Sequence, residues 1–512
     1  MKPLSLLLLA AGAFAQSGSD QTGSVSGVVT DAITKMPVKK TLVSINAMMT
    51  TPGQNQSASA ALTDSGGAYT LSNLAPGRYR LRFQQQSYPQ ALSRAVEIKA
   101  GEAASPVNVE LIPGASVTGR IVDEEGDPIR NCNLEVHHAN NPQQYAQMTG
   151  TTSSNEDGEY RAFGLAPGKY ILSVHCNQTP FQARPFSAGP DAPASKAYPD
   201  QYYPLTTDIH SAQAVELTAG IEKSGIDFQM TPTAVSSIHG ALSWQGADWH
   251  GRSVNLQLSS LESHRPAGAA RLDEEKGTFE FQRVFPGSYA IVALSAGGED
   301  RIGVWQQVDV TDQPLAVTLE LRHASEIRGT VEIENGGNST KPVPLSQCQI
   351  MLTAGIQGGP PGSQIHANDD GTFTLRGVMP GPFRLFAVGP AVFLKSAWLG
   401  STDITHTAID FSGGTGGTLR IVMSTNTATI RGSAPAGEAI FLQRIEDTPF
   451  WGNRDMSSDQ NGQFAFEGLA PGTYRIAIVE GRGSIPDGGS REITVREGET
   501  AMIDLKSEHV QF

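Results

Sequence analysis

The chain has 512 residues, with 37 Lys and Arg against 51 Asp and Glu, and it contains 55 Gly and 31 Pro. Charged residues make up 17% and hydrophobic residues 39% of the chain, which excludes a highly charged disordered polymer and a membrane-embedded protein. The net charge of -14, without a basic run, opposes the neutralisation of phosphates, so we expect no nucleic-acid partner.

The first residues predict a signal peptide. Lys2 precedes an apolar run from Leu4 to Phe14, and Ala13-Phe14-Ala15 has the small-x-small pattern of a cleavage site. We therefore expect residues 1–15 to be removed. The alternative is an uncleaved anchor, but the run is shorter than the roughly 20 residues that span a bilayer. The chain is expected to be secreted, periplasmic or on the cell surface, without a membrane span.

One turn-and-strand unit recurs five times with constant spacing. Each copy has a Gly, an aromatic residue two positions later, a Pro-Gly pair and a second aromatic two positions after that pair. Polar clusters around the first Gly predict a tight hairpin turn, and the Pro-Gly pair fits a type II turn. The copies are Gly67, Tyr69, Pro76, Gly77, Tyr79; Gly158, Tyr160, Pro167, Gly168, Tyr170; Gly277, Phe279, Pro286, Gly287, Tyr289; Gly371, Phe373, Pro380, Gly381, Phe383; and Gly462, Phe464, Pro471, Gly472, Tyr474.

Each copy is flanked by an opening strand and a closing strand. The opening strands share an apolar-x-Gly-x-apolar pattern, and the closing strands alternate apolar and polar residues, as in Leu419–Met423. These patterns predict an all-β protein of five tandem antiparallel β-sandwiches, joined in a rod by short Pro-containing links. The predicted domains are 16–113, 114–232 with a Pro-rich insertion, 233–322, 323–425 and 426–512.

The hairpin followed by Leu-Ala-Pro-Gly-x-Tyr resembles the carboxypeptidase regulatory-like domain, a transthyretin-like, Ig-like sandwich with a carbohydrate-binding-like fold. The third and fourth copies depart mildly, with Val284-Phe285 and Val378-Met379 in place of Leu-Ala. The resemblance implies a sandwich fold and makes carbohydrate the leading ligand class. The zinc carboxypeptidase domain that accompanies such modules has no counterpart in this sequence.

Two of the three cysteines are candidates for a disulfide. Strand alternation places Cys132 and Cys176 on the inward face of two strands of the second copy, which makes a disulfide geometrically plausible. In an oxidising compartment a bridge between them would close a long loop, while two reduced core thiols are the alternative. Cys348 takes the place of Cys132 in the fourth copy, but Gly389 stands where Cys176 would be, so we expect a buried free thiol.

No arrangement typical of an enzyme is present, and we expect neither a catalytic site nor a cofactor. His137 and His175 share the outward face of their strands with His138 nearby, but four-ligand metal geometry is not evident, so no metal site is predicted. The acidic turns 155–158 and 368–371 lack the regular spacing of calcium loops. They are interpreted as hairpin turns.

Aromatic residues in loop-like segments are the best candidates for ligand binding, because sugar rings stack on exposed aromatic faces. They are Trp244, Trp249, Trp451, Tyr202 and Tyr203. The alternative is that these rings pack against a neighbouring domain or a sheet edge. We therefore expect a secreted, non-catalytic binding protein whose partner is a polysaccharide, or else a structural scaffold that binds a cell-envelope protein. The sequence leaves the oligomeric state open.

Overall fold

The computed structural model describes residues 22–49, 59–93, 95–139, 150–176, 195–244, 253–263, 265–295, 301–336, 342–355, 359–413, 417–445, 453–478 and 490–505. Strands dominate, and the helical segments among these residues are two 3-10 turns, Ile209–Ser211 and Leu345–Gln347. This confirms the all-β fold class. The predicted signal peptide lies outside the described residues.

The chain divides into two compact units, Met1–Pro113 and Gly114–Phe512. In the first unit, β4, β1 and β8 form one sheet, and β3, β2, β5 and β6 form the other, with β7 beside β5. Val29, Leu81 and Phe83 are fully buried in the core of this unit. The strands are β1 Gly23–Asp31, β2 Leu42–Met49, β3 Ala60–Leu62, β4 Ala68–Leu74, β5 Gly77–Gln85, β6 Tyr88–Leu92, β7 Val96–Ile98 and β8 Val109–Leu111.

The second unit begins with two sheets that enclose Leu134, Tyr170 and Phe228. One has the order β12, β9, β17, with β18 also beside β9; the other has the order β11, β10, β13, β15, with β16 beside β13. The strands are β9 Ala115–Val122, β10 Cys132–His138, β11 Gly150–Ser153, β12 Glu159–Leu165, β13 Gly168–Cys176, β14 Ser195–Ala197, β15 Gln201–Tyr202, β16 Val215–Leu217, β17 Glu222–Lys223 and β18 Phe228–Gln229.

The next strands form a single nine-stranded sheet, because β25 pairs with β26 and joins what would otherwise be two sheets. Its order is β21, β20, β24, β25, β26, β19, β23, β22, and β14 also pairs with β19. The strands are β19 Thr233–Trp244, β20 Val254–Ser260, β21 Pro266–Ala269, β22 Arg271–Asp273, β23 Thr278–Val284, β24 Gly287–Ser295, β25 Ile302–Val310 and β26 Leu315–His323.

The remaining strands again form pairs of sheets. The first pair has the orders β30, β27, β35, β32, β33 and β29, β28, β31, β34; the second has β39, β36, β42 and β38, β37, β40, β41. The strands are β27 Ser325–Glu334, β28 Gln349–Ala354, β29 Ser363–His366, β30 Thr372–Val378, β31 Pro382–Val388, β32 Phe393–Leu399, β33 Thr402–Asp403, β34 Ile409–Asp410, β35 Leu419–Ser424, β36 Ala428–Ser433, β37 Ala439–Arg444, β38 Arg454–Ser457, β39 Gln463–Leu469, β40 Gly472–Ile478, β41 Ser490–Val495 and β42 Thr500–Asp504.

The larger clusters of buried side chains in the second unit lie within residues 115–230, 238–321, 327–423 and 428–505. Each predicted border after residue 113 falls between two of these clusters. Because Gly114–Phe512 is one compact unit, its division into four separate domains stays a prediction.

The glycine of every opening strand lies opposite the first aromatic residue of its repeat. The pairs are Gly27 with Tyr69, Gly119 with Tyr160, Gly240 with Phe279, Gly329 with Phe373 and Gly432 with Phe464. A Cβ atom at Gly119 would lie 1.8 Å from the carbonyl oxygen of Ile226. The aromatic ring and the closing segment of the repeat therefore leave no space for a side chain, which explains why Gly occupies this position.

The hairpin glycines have the expected positive φ, from 63° at Gly277 to 82° at Gly371. The prediction of a type II turn at the Pro-Gly pair is wrong. At Gly168, Gly287 and Gly472 φ is 148–155°, far from the roughly 80° of that turn. These glycines are already the first residues of the following strands, so the chain bends at Pro without completing a turn.

The second aromatic residue of the repeat holds this bend. Its hydroxyl group donates a hydrogen bond to the carbonyl oxygen four residues earlier, just before the Pro. These bonds measure 2.8–2.9 Å and join Tyr79 to Ala75, Tyr170 to Ala166, Tyr289 to Phe285 and Tyr474 to Ala470. Phe383 of the fourth copy has no hydroxyl group with which to make this bond.

The expectation of purely antiparallel sandwiches needs one correction. The opening strand of each repeat pairs in parallel with the closing strand, as β1 does with β8 and β19 with β26. The other strand ladders of the described residues are antiparallel. Each repeat thus has its first and last strands side by side and running in the same direction.

Candidate functional site

A cluster of charged side chains lies on the outward face of β10 and β13. Glu135 on β10 receives a bidentate ion pair from Arg265, whose two terminal nitrogens lie 2.8 and 3.0 Å from the two carboxylate oxygens. Arg265 belongs to the turn between β20 and β21, so the pair joins parts of the chain that are 130 residues apart. The side chain of Glu135 is 13% exposed and that of Arg265 is 26% exposed. We call Glu135, Arg265, Asp200, His137 and His175 the Arg265 cluster.

Asp200 and two histidines complete the Arg265 cluster. One carboxylate oxygen of Asp200 lies 3.7 Å from Arg265, and the other hydrogen-bonds to Nδ1 of His175. Nε2 of His137 lies 3.3 Å from Glu135. Strand alternation correctly places both histidines on the outward face, but each contacts a different carboxylate.

The electrostatics of the cluster favour its charged form. The hydrogen bond from His137, and then the ion pair with Arg265, lower the pKa of Glu135 to about 2 against the opposing effect of burial. The bond to Asp200 raises the pKa of His175 above its ordinary value. The guanidinium group of Arg265 lies between the two carboxylates and is close to both. The arrangement is therefore suited to holding segments together.

A short strand before Tyr198 also pairs with the third repeat. β14 lies within residues 114–232, predicted as the second sandwich with its Pro-rich insertion, yet it pairs with β19, the opening strand of the third repeat. Ser195, Lys196 and Ala197 face Val235, Ala234 and Thr233 in this ladder. Backbone hydrogen bonds and the Arg265 cluster thus connect the same two repeats.

The sequence analysis missed Glu135, Asp200 and Arg265. Alternation indicated that Glu135 points outward, but an outward carboxylate is ordinary on a sheet surface. No local pattern relates Arg265 to residues 65 and 130 positions earlier. Their association depends on how the repeats pack, which the sequence pattern did not reveal.

The predicted cysteine pair lies next to this cluster. Cys132 and Cys176 occupy directly opposed positions of β10 and β13, and the structure joins them by a disulfide with a Cα–Cα distance of 4.2 Å. The backbone N–H of Cys132 donates to the hydroxyl oxygen of Ser154, and the carbonyl oxygen of Cys132 accepts from the backbone N–H of Ser154. Cys132 and Cys176 therefore form a non-hydrogen-bonded pair, the type in which opposed residues of an antiparallel ladder lie closer together. Oxidation of this pair in the mature protein stays a prediction. Cys348 is a buried free cysteine, and burial raises the pKa of its thiol.

The two tyrosines that were predicted to bind a ligand pack against other side chains of the second repeat. Tyr202 is 2% exposed and packs with Ile171 and Ile209, and burial raises its pKa to about 12. Tyr203 packs on the core, with its ring 6.2 Å from that of Phe228. A ring that stacks on a sugar must present a free face to solvent, so the predicted role does not suit Tyr202.

Of the three tryptophans predicted to bind a ligand, the described part of the chain includes Trp244. Trp244 ends β19, where it is half-buried against the core of the third repeat and 5.2 Å from the ring of His323. Trp249 and Trp451 lie outside the described residues. A binding role for these two stays a prediction.

Within the described part of the chain, one acidic group has the spacing of potential metal ligands. Carboxylate oxygens of Asp123, Glu125 and Asp127 lie within 4.8 Å of one another on a turn. Asp123 accepts hydrogen bonds from the backbone amides of Glu125 and Asp127, so turn formation accounts for its conformation. This is not one of the acidic turns that the sequence analysis considered.

Comparison with known proteins supports the family resemblance. Residues 24–112 and 116–194 each match the carboxypeptidase regulatory-like domain, which confirms the resemblance for the first two repeats. The chain is 32% identical over 122 residues to the TonB-dependent transporter Oar of Myxococcus xanthus. That similarity covers 24% of this chain and 10% of the transporter, so the chain spans about a tenth of the length of this relative.

Solved structures with similar regions include two pilins. The minor pilin GBS52 of Streptococcus agalactiae is 15% identical, with a TM-score of 0.23, and the match covers 41% of this chain and 96% of the pilin. The shaft pilin SpaA of Lactobacillus rhamnosus GG is 9% identical, with a TM-score of 0.20, and the match covers 42% of this chain and 99% of the pilin.

No helix among the described residues is long and apolar enough to cross a membrane.

Proposed function

We propose that the chain is an exported, non-catalytic scaffold of the cell envelope or cell surface, whose β-sandwich repeats bind protein partners. One observation carries this proposal: side chains that could have been available for a ligand instead hold one repeat against the next. Tyr202 is buried, and the bidentate pair between Glu135 and Arg265 joins the second repeat to the third.

The following joint supports the same function. Leu294 on β24 packs against the core that contains Met379 of the fourth repeat. A Cβ atom at Gly303 would lie 2.2 Å from the terminal methyl group of Met379, and one at Gly381 would lie 3.0 Å from Cβ of Trp305. The backbone at Gly303 and Gly381 thus packs directly against side chains of the other repeat, with no space left for a side chain at Gly303. Such direct packing suits a scaffold better than a chain of independent binding modules.

The place of action is proposed from three separate features. The predicted signal peptide directs export, and a cysteine pair suits an oxidising compartment. Two carboxypeptidase regulatory-like domains and the partial similarity to a TonB-dependent transporter support a location at the cell envelope. Protein binding is proposed because sandwich faces and strand edges offer surfaces for another chain.

The experiment measures binding of the labelled mature chain to isolated cell envelopes treated in two ways. Protease treatment removes protein partners, whereas periodate oxidises the vicinal diols of glycans and leaves most protein intact. We expect protease treatment to abolish binding and periodate treatment to preserve it. The reverse result would refute the scaffold proposal and assign binding to a glycan.

Carbohydrate binding is the rival function, and it depends on Trp249 and Trp451. Affinity electrophoresis in polysaccharide gels would compare Trp249→Ala and Trp451→Ala with the wild-type chain. Phe163→Ala is the matched control, because Phe163 is an exposed aromatic residue outside both segments. Retardation that is lost in one tryptophan variant and kept in the control would establish a glycan site.

A further inference from the structure

The second sheet of the first unit has an outward face that carries three arginines and an apolar corner. Arg78, Arg80 and Arg82 occupy alternate positions of β5 and point away from the core, opposite to Tyr79, Leu81 and Phe83. Leu42 lies beside Leu62 across β2 and β3 on the same face. These leucines are 38% and 63% exposed. We call this surface the Arg78–Leu62 face.

The corresponding face is a contact surface in the second repeat. Ile171 occupies the position that matches Arg80, since each directly follows the tyrosine of its Pro-Gly-x-Tyr motif. Ile171 is covered by Tyr202 and Ile209, and Glu135 beside it on that face receives Arg265. An apolar contact and a carboxylate–guanidinium pair thus lie side by side.

The third repeat uses this face in the same way. Ala290 and Val292, at positions that match Ile171 and Ser173, are buried on the outward side of β24. The next residue on that side, Leu294, packs against the core of the fourth repeat. In both repeats, other segments of the chain cover this face. On the corresponding face of the first unit, Leu42 and Leu62 are exposed among the described residues.

The charge of the first unit indicates what would cover it there. Residues 16–113 contain 8 Lys and Arg against 6 Asp and Glu, whereas residues 114–512 contain 28 against 45. On the Arg78–Leu62 face itself, Glu97 is the acidic residue paired across the sheet from Arg78. Arg78 is exposed and Arg82 is half-buried, so their guanidinium groups lie where a carboxylate on a partner can meet them.

We propose that the Arg78–Leu62 face docks a protein segment that presents carboxylates alternating with apolar side chains. Carboxylates would pair with Arg78 and Arg82, and apolar side chains would cover Leu42 and Leu62. An acidic polysaccharide could satisfy the arginines, but it would leave the exposed leucines without a contact. This inference deepens the proposed scaffold function, on which it rests, by stating the chemistry of one partner.

The test uses the full mature chain and a fluorescein-labelled peptide of six Leu-Glu repeats, followed by fluorescence anisotropy. The two substituted chains are Arg78→Gln with Arg82→Gln, and Leu42→Ser with Leu62→Ser. Arg475→Gln is the control, because Arg475 alternates with buried residues on β40 of the fifth copy as Arg78 and Arg82 do on β5 of the first. We expect each double variant to bind the peptide at least tenfold more weakly, and the control to bind within twofold of the wild-type chain.

Three results would overturn this inference. The first is peptide binding that neither double variant weakens. The second is tighter binding of polygalacturonate that depends on the arginines but not on the leucines, which would assign the face to an acidic polysaccharide. The third is self-association, seen by sedimentation velocity and abolished by Arg78→Gln with Arg82→Gln, which would assign it to a second copy. Circular dichroism verifies folding of each variant, and the envelope-binding result decides separately whether the scaffold function stands.

Discussion

Replacing Arg265 with Met should loosen the joint between the second and third repeats. Methionine replaces the apolar stem of the arginine side chain but removes both hydrogen bonds to Glu135. The carboxylate then stays largely buried, with His137 as its remaining partner in the Arg265 cluster. Breaking a buried ion pair from one side costs several kcal/mol, because the other charge loses its compensation.

The magnitude follows from the pKa of Glu135. This pKa is about 2 against an ordinary 4.5, and about 1.4 kcal/mol per pKa unit gives roughly 3 kcal/mol in favour of the ionised form. His137 and Arg265 share that contribution, so we expect Arg265→Met to destabilise the joint by about 2 kcal/mol at pH 7. Because the pKa is lowered by folding, this stability is present above pH 4.5 and is lost as the pH falls towards 2.

Hydrogen exchange measured by mass spectrometry tests this prediction locally, without assuming that the whole chain unfolds in one step. Peptides from β10 and β14 should exchange about 30-fold faster in Arg265→Met, the ratio that corresponds to about 2 kcal/mol. Arg161→Met is the control, because Arg161 and Glu222 form an ion pair whose side chains are about half exposed. In the control the same peptides should change less than twofold.

A double-mutant cycle identifies the cause. If the pair itself stabilises the joint, Glu135→Gln combined with Arg265→Met should cost clearly less than the sum of the two single substitutions. Exchange in Arg265→Met that matches Arg161→Met, or strictly additive effects in the cycle, would refute the reasoning that the Arg265 cluster holds these repeats together.

Three further predictions concern the repeats themselves. Replacing Cys132 and Cys176 with Ser should destabilise the second repeat by about 4 kcal/mol on the chain-entropy estimate, which would lower its thermal midpoint. An unchanged midpoint, or two reactive thiols in the unreduced wild-type chain, would contradict the disulfide. Gly27→Ala should destabilise the first unit by more than about 2 kcal/mol in urea unfolding, because its Cβ would lie 1.9 Å from a carbonyl oxygen, whereas Gly66→Ala should be nearly neutral. His175→Asn should lower the thermal midpoint below pH 6.5, where the protonated imidazole is paired, and the difference should shrink as the pH rises past its raised pKa; a difference that does not depend on pH would exclude an ionic role.

Local patterns were sufficient to predict the strand framework. A period of two along each strand correctly separated core residues such as Leu81 and Phe83 from outward residues such as Arg82. The hairpin glycines have the expected positive φ because only a residue without Cβ adopts it readily in such turns. The Pro-Gly bend was predicted less well, since the same dipeptide suits both a type II turn and the start of a strand.

The candidate site was the least predictable part. Loop-like context suggested that Tyr202 was available to a ligand, but its ring is buried under contacts from a 3-10 turn and from β13. Composition around Trp244 suggested a loop, whereas Trp244 is the last residue of a long strand. Neither outcome follows from neighbouring residues, because burial depends on which distant segment lies over them.

Four properties follow from local sequence patterns alone: the repeat, the faces of the strands, the glycines opposite the aromatic rings, and the cysteine pair on the inward face. These properties depend on residues a few positions apart or on the fixed period of a strand. Only the tertiary structure showed that β14 pairs with β19, and that Arg265 reaches Glu135 over 130 residues. Such contacts arise from the packing of one repeat on another, which depends on side chains that are distant in sequence and belong to no local pattern.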